Sequence, residues 1–232
     1  MAKKPLVGVC LPNEGNFFAY LFIRFNLKLQ GAYSVRLRPS KNNVKFEKLD
    51  GLILSGGNDI DPTLYGADKD AHNTSLDKKR DAFELDMIDK AYKKRIPILG
   101  ICRGAQLINI YFNGTLYPTI LDLDEYIIHQ NSIFPIKSAL IKKISQLFSI
   151  TKKKEVVINS IHNQAINKVG NDLKVSACHD KIIEAIEKED YPFLLGVQWH
   201  PEYLLYLKDH REIFKSFIEK TKLITDRNFT VI

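Results

Sequence analysis

Only three of the 232 residues are cysteine, Cys10, Cys102 and Cys178, and no two of them form a C-x-x-C pair. They are too few and too scattered for a disulfide framework or a cysteine zinc site, and they fit a reducing compartment. No apolar run approaches the roughly 20 residues that a membrane span needs, so no membrane partner is expected. The opening Met1-Ala2-Lys3-Lys4 is basic, but the run from Pro5 to Pro12 is interrupted by glycine and then by Asn13-Glu14-Gly15. A secretory peptide needs a longer greasy stretch, and a cytoplasmic protein is the expectation. Neither G-x-x-x-x-G-K-[ST] nor G-x-G-x-x-G occurs, so a phosphate-cradling loop lacks its motif. The six histidines show no metal-ligand spacing, and neither a metal nor another cofactor is expected. Repeats, low-complexity tracts and linkers are also missing.

What is present suffices for one sizeable core. The chain is 45% hydrophobic, and nothing in its totals demands more than one domain over residues 1–232. The net charge of +7 is spread along the chain without interleaved aromatics on one face, which argues against a nucleic-acid partner and for a solvated surface. Leu6 to Cys10, Val35 to Leu37, Leu49 to Leu54 and Ile98 to Ile101 read as short strands. Helical periodicity runs from Phe17 to Gln30, from Asp77 to Arg95 and from Arg103 to Phe112. The second half is richer in strands: Tyr126 to Ile128, Val156 to Ile158, Leu173 to Ala177, Ile182 to Ile186 and Phe193 to Trp199. An amphipathic helix carrying Ile213, Phe214, Phe217 and Ile218 follows. Strands alternating with helices predict an α/β fold with a mostly parallel sheet and helices on both faces.

Three stretches carry chemistry. Gly100-Ile101-Cys102-Arg103-Gly104-Ala105-Gln106 lies where a buried strand turns into a helix, a place that lifts a nucleophile above the sheet edge and crowds the backbone around it. The thiol faces the start of the helix, whose partial positive charge suits an anionic sulfur. A lone cysteine is more often a small buried hydrophobe than a catalyst. Such a cysteine, however, has no need of Gly100 and Gly104. In Gly196-Val197-Gln198-Trp199-His200-Pro201-Glu202, an extended backbone would put His200 and Glu202 on one side, so that a carboxylate can orient an imidazole. Ser55-Gly56-Gly57 leaves a strand as a glycine turn whose amides suit a developing oxyanion.

Together these stretches resemble the class I glutamine amidotransferase superfamily, and within it the peptidase C26 branch of γ-glutamyl hydrolases, in particular γ-glutamyl-γ-aminobutyrate hydrolase-like proteins. The resemblance runs collinearly from about residue 49 to 202. It takes in Gly56 to Gly66 with its Gly-Gly-x-Asp-Ile-x-Pro-x-x-Tyr-Gly pattern, Arg80-Asp81-Ala82-Phe83-Glu84-Leu85, Pro97 to Gly104, Asn159 to Ile166 and Gly196 to Glu202. It implies a flavodoxin-like three-layer sandwich with a mostly parallel central sheet and an additional antiparallel strand region. It also implies a triad of Cys102, His200 and Glu202, with the amides of Gly57 and Arg103 as oxyanion hole. Gln106 matches the family position near the glutamyl head group. His162 matches a histidine near the substrate of some γ-glutamyl hydrolases, or is a structural loop residue. His129 falls on the family's substrate-side loop, or on ordinary surface.

The implied activity is hydrolysis of a γ-glutamyl amide in a small γ-glutamyl compound, through a thioester on Cys102 that releases glutamate. A glutaminase subunit feeding ammonia to a partner synthetase, and a non-catalytic binding protein, are the alternatives; a homodimer is a reasonable expectation. The chain departs from the branch at Asn113-Gly114, where Gly-Gly is usual, and at Asn163, where histidine or arginine is frequent. The stretch from Leu11 to Leu49 is short, and 123–154 matches poorly. Those segments would shape the leaving-group pocket, so the bond cleaved is better specified than the amine attached to it.

Overall fold

The computed structural model describes residues 4–41, 44–68, 76–123 and 130–229, the last four as backbone alone. The first half winds strand and helix in turn: β1 (Leu6–Cys10), α1 (Phe17–Leu29), β2 (Tyr33–Leu37), β3 (Gly51–Leu54), α2 (Lys78–Lys94), β4 (Ile98–Ile101) and α3 (Arg103–Tyr111). The second half continues with β5 (Leu116–Tyr117), β6 (Ser132–Ile141), α4 (Gln146–Thr151), β7 (Glu155–Ser160), β8 (Ala165–Ile166), β9 (Lys174–His179), β10 (Ile182–Glu187), β11 (Leu194–Val197) and α5 (Lys208–Phe229).

Nine strands form one sheet in the order β2-β1-β3-β4-β11-β10-β9-β6-β7, while β5 and β8 pair separately. The first five of that order run parallel, and the remaining pairings are antiparallel. The parallel part has the doubly wound order of flavodoxin-like folds. Strands β3, β4 and β11 are buried throughout, which explains their unbroken aliphatic sequences: a strand covered on both faces has no polar side to alternate with. Their side chains still divide by parity. Ile53, Leu99 and Val197 join Tyr20, Ile23 and Leu27 of α1 and Phe214 and Phe217 of α5. Leu52, Leu54 and Ile98 join Met87 and Ile88 of α2 and Leu107 and Ile108 of α3 on the other side. These are the three layers that the sequence implies.

Most boundaries follow the sequence reading within two residues, and β2 begins two residues earlier than Val35. The strand expected over Tyr126 to Ile128 lies outside the described residues. Strand β6 and helix α4 were not expected. Pro135 has no amide hydrogen and argues against a strand, yet it sits in β6 where the pairing with β7 shifts register between Ser132 and Lys137. Helix α4 has only six residues, too few for a periodic signal, and is started by Ser145, whose hydroxyl accepts from the Phe148 amide at 2.9 Å. Among the described residues no helix is long and apolar enough to cross a membrane.

Candidate active site

Strand β4 ends at Ile101, and Cys102 makes the turn into α3 with φ 51° and ψ −107°. A side-chain-bearing residue in that region costs about 1–3 kcal/mol unless its surroundings hold it. Here the Cys102 amide donates to the Val197 carbonyl at 2.7 Å, and its own carbonyl accepts from the amides of Ala105 and Gln106. The close approach of α3 to β3 explains Gly104, where a Cβ would lie 2.3 Å from the Leu54 carbonyl oxygen. The Cys102 side chain is only 4% exposed. Its thiol donates to the Ile161 carbonyl at 3.7 Å and accepts from the Gln198 amide at 3.6 Å.

Strand β11 runs parallel beside β4, so the residues just past its end arrive next to Cys102. His200 and Glu202 meet, but not on an extended segment. Pro201 starts a 3-10 turn over Pro201–Tyr203, its fixed φ suiting the first helical position, and the turn brings Glu202 Oε1 to 2.9 Å from His200 Nδ1. Asn159 fixes the histidine backbone, accepting from its amide at 2.8 Å and donating to its carbonyl at 3.1 Å. Tyr203 stacks on the ring at 5.4 Å. The Cε1 edge of the ring lies against Gly56, where any Cβ would stand 2.5 Å from His200 Cε1. Burial disfavours the charged imidazole, but the Glu202 carboxylate and then the hydrogen-bonded Cys102 outweigh it and hold the His200 pKa well above the usual histidine range.

Behind the glycine turn lies a buried ion network that the sequence marked only as a matched pattern. Arg80 donates through Nη2 to the carbonyls of Ser55 and Gly56 at 3.1 and 3.0 Å, and through Nε to Glu84 Oε1 at 2.7 Å. Glu84 and Asp81 both pair with the Arg103 guanidinium. All four side chains are buried. Burial disfavours the Arg103 charge, but Glu84 and then Asp81 more than offset it, so the guanidinium stays protonated. Two cations and two anions thereby tie α2 to both backbone segments named as the oxyanion hole, Gly56-Gly57 and Arg103. As the first residue of α3, Arg103 has an amide with no intrahelical acceptor.

Gln106 is buried one helical turn beyond Cys102, with Nε2 donating to the Gln164 carbonyl at 2.9 Å and to Gln198 Oε1 at 3.2 Å. Gln198 in turn reaches the sulfur, so the two glutamines back Cys102 as a chain. His162 directly follows Ile161, and its Nδ1 lies 3.0 Å from the Gln164 carbonyl. Gln164 fixes the far end of the glycine loop, pairing with both backbone groups of Ile60 and donating to the Tyr65 hydroxyl. His129 lies outside the described residues.

Glu184 was not singled out in the sequence. It is buried beneath this region, its backbone carbonyl accepts from the Gln198 amide at 2.7 Å, and neither carboxyl oxygen has a hydrogen-bond partner among the described residues. Burial pushes its pKa up to about 8, against the opposing charge of Lys137. Between the ordinary glutamate value of 4.5 and about 8 the folded state therefore keeps a proton that the unfolded chain releases. Stability falls through that window as pH rises, by up to ~1.4 kcal/mol per unit. Glu184→Gln is expected to remove this slope, so that its stability advantage over the parent grows by on the order of 2–4 kcal/mol from pH 5 to pH 8 in urea unfolding. Parallel pH profiles would show that the carboxyl ionises within the fold.

Comparison with known proteins agrees with the architecture. The chain is 36% identical to a glutamine amidotransferase-like protein of Rickettsia prowazekii, over 97% of this chain and all of that one. It is 31% identical to the γ-glutamyl-γ-aminobutyrate hydrolase PuuD of Escherichia coli, over 71% of this chain and 68% of that one. A Thermoplasma acidophilum crystal structure described as that of a GMP synthase subunit shares the fold, with a TM-score of 0.71, 20% identity and 98% of each chain covered. The Peptidase C26 family model matches residues 32–202, from the start of β2 to the carboxylate that holds the histidine. The chain therefore belongs to the Peptidase C26 family and stands among glutamine amidotransferase-like hydrolases.

Proposed function

We propose that this protein hydrolyses the γ-glutamyl amide bond of a small γ-glutamyl compound through a thioester on Cys102. The observation that carries this reading is the pairing of a strained strand-to-helix cysteine with a histidine that Glu202 fixes at 2.9 Å. The Cys102 thiol first passes its proton to His200 Nε2, since Nδ1 is committed to Glu202, and the sulfur anion then attacks the γ-carbonyl carbon beside the charged imidazole. The carbonyl oxygen becomes an oxyanion facing the amides of Gly57 and Arg103. As the C–N bond breaks, His200 returns the proton to the leaving amine, and the γ-glutamyl thioester remains. Water then gives a proton to His200 and attacks the same carbon. The C–S bond breaks, the sulfur regains its proton, and glutamate leaves. Gln106 and His162 line the glutamyl side of this reaction, and the substrate requires no partner synthetase. The likeness to PuuD, whose name specifies a γ-glutamyl-γ-aminobutyrate substrate, supports a γ-glutamyl amine as substrate class.

The purified chain, given a panel of γ-glutamyl amines and free glutamine, is expected to release glutamate from at least one γ-glutamyl amine without any added protein. Acid-quenched intact mass should show one glutamyl group on Cys102. No release from any amine, or equal release from the parent and Cys102→Ala, would end this reading.

A further inference from the structure

Asn16 stands at the start of α1, where an asparagine side chain ordinarily caps the helix. It does not do so here. Its backbone starts the helix, the carbonyl accepting from the Tyr20 amide at 3.0 Å, but its side chain makes no capping hydrogen bond. Instead φ 53° and ψ 27° place the residue in the left-handed region, which asparagine tolerates better than most residues with a Cβ, and Nδ2 crosses to the Gly56 carbonyl at 2.8 Å. A good capping residue thus forgoes the cap of its own helix to hold one carbonyl 40 residues away.

That carbonyl is held from both layers of helices. Arg80 of α2 donates to it through Nη2 at 3.0 Å, from the opposite side of the sheet to α1. The Ser55 hydroxyl is also 3.3 Å away, but has a nearer acceptor in the Cys10 carbonyl at 2.7 Å. The peptide unit is also wedged in place: a Cβ on Gly57 would stand 2.2 Å from Arg80 Nη1, and one on Gly56 would meet the His200 ring. A trans peptide is planar, so its N–H points opposite to its C=O. With the Gly56 oxygen taken up by Asn16 and Arg80, the Gly57 N–H in the same plane is turned away from both. Gly57 is exposed, and its amide has no acceptor among the described residues. We propose that Asn16 is a positioning residue of the candidate active site: by fixing the Gly56 carbonyl, it aims the Gly57 N–H at the oxygen on which charge develops when the γ-carbonyl is attacked. This role rests on the proposed hydrolysis, in which the Gly57 amide is an oxyanion donor. Asn16 lies before the segment that the family model matches, so the role extends the site to α1.

Two substitutions separate this role from a structural one. Asn16→Gly keeps the left-handed backbone and suits a helix start, but removes the donor. Asn16→Asp keeps the shape and also suits a helix start, yet its ionised carboxylate cannot donate to Gly56. Removing an oxyanion donor outright costs about 10²–10³ in kcat. Since Arg80 still holds the carbonyl, kcat for glutamate release from a γ-glutamyl amine is expected to fall about 10- to 100-fold in both variants, with KM within about twofold of the parent's. The urea midpoint should be unchanged in Asn16→Gly and unchanged or higher in Asn16→Asp, so that rate and stability part company. An active parent whose Asn16 variants keep its kcat overturns the role of Asn16 and leaves the hydrolase standing. So does a loss of rate matched by a lowered urea midpoint, or one confined to KM. A parent inert on every γ-glutamyl amine overturns the hydrolase and this role with it.

Discussion

Replacing Cys102 with alanine is expected to lower glutamate release at least about 10³-fold, because in the proposed mechanism every later step passes through the bond its sulfur forms. The fold should survive. Cys102 occupies a backbone region unfavourable to any residue with a Cβ, so Cys102→Gly relieves strain of about 1–3 kcal/mol, set against the greater flexibility of glycine when unfolded. The glycine variant is expected to be inactive yet at least as resistant to urea as the parent, which separates lost chemistry from lost structure. A companion change tests the histidine. Glu202→Gln keeps the shape but removes the leading charge that raises the His200 pKa, so that pKa falls. If His200 must carry a proton to the leaving amine, the alkaline limb of the kcat/KM profile moves to lower pH, and the rate at its optimum drops about 10²- to 10⁴-fold. An unmoved limb would assign that limb to another group.

The second large effect concerns stability. Glu84→Ala is expected to destabilise the fold by about 3–5 kcal/mol, because it strips a shared carboxylate from two buried guanidiniums. Against a total stability of about 5–15 kcal/mol this is a large fraction, and it should appear as a lowered urea midpoint with an unchanged m value. Activity should fall further than the folded fraction does. Arg80 and Arg103 hold the Gly56 carbonyl and the start of α3, and small displacements of oxyanion donors are costly in rate. A loss below about 1 kcal/mol would mean that water reaches the network and screens the orphaned charges.

The parallel half of the sheet and its two crossover helices were legible because strands buried on both faces read as unbroken aliphatic runs and the helices repeat at three and four. Cys102, His200 and Glu202 were legible because two short glycine-bearing motifs mark the ends of adjacent parallel strands. What escaped depends on contacts distant in sequence. Nothing near Asn159 announces that its side chain clasps the backbone of His200, and nothing around Glu184 reveals that its carboxyl is sealed from water. The arrangement of Arg80, Asp81, Glu84 and Arg103 needed α2 and α3 side by side before the motif acquired a physical meaning. Strand β6 was hidden by a proline that a local register shift accommodates. Helix α1 was found, but a segment apolar on nearly every side cannot declare from composition which stripe faces inward.

The order of strands also sets when reactivity can arise. Strand β4 pairs with β11, and Gln198, which reaches the Cys102 sulfur, comes 96 residues after it in the chain. On the ribosome, the turn bearing the thiol therefore emerges and can begin to order long before the imidazole and its carboxylate are synthesised. Until β11 slots between β4 and β10, the growing polypeptide carries the sulfhydryl without the neighbouring imidazole, and on the proposed mechanism hydrolytic competence is withheld from partly made molecules.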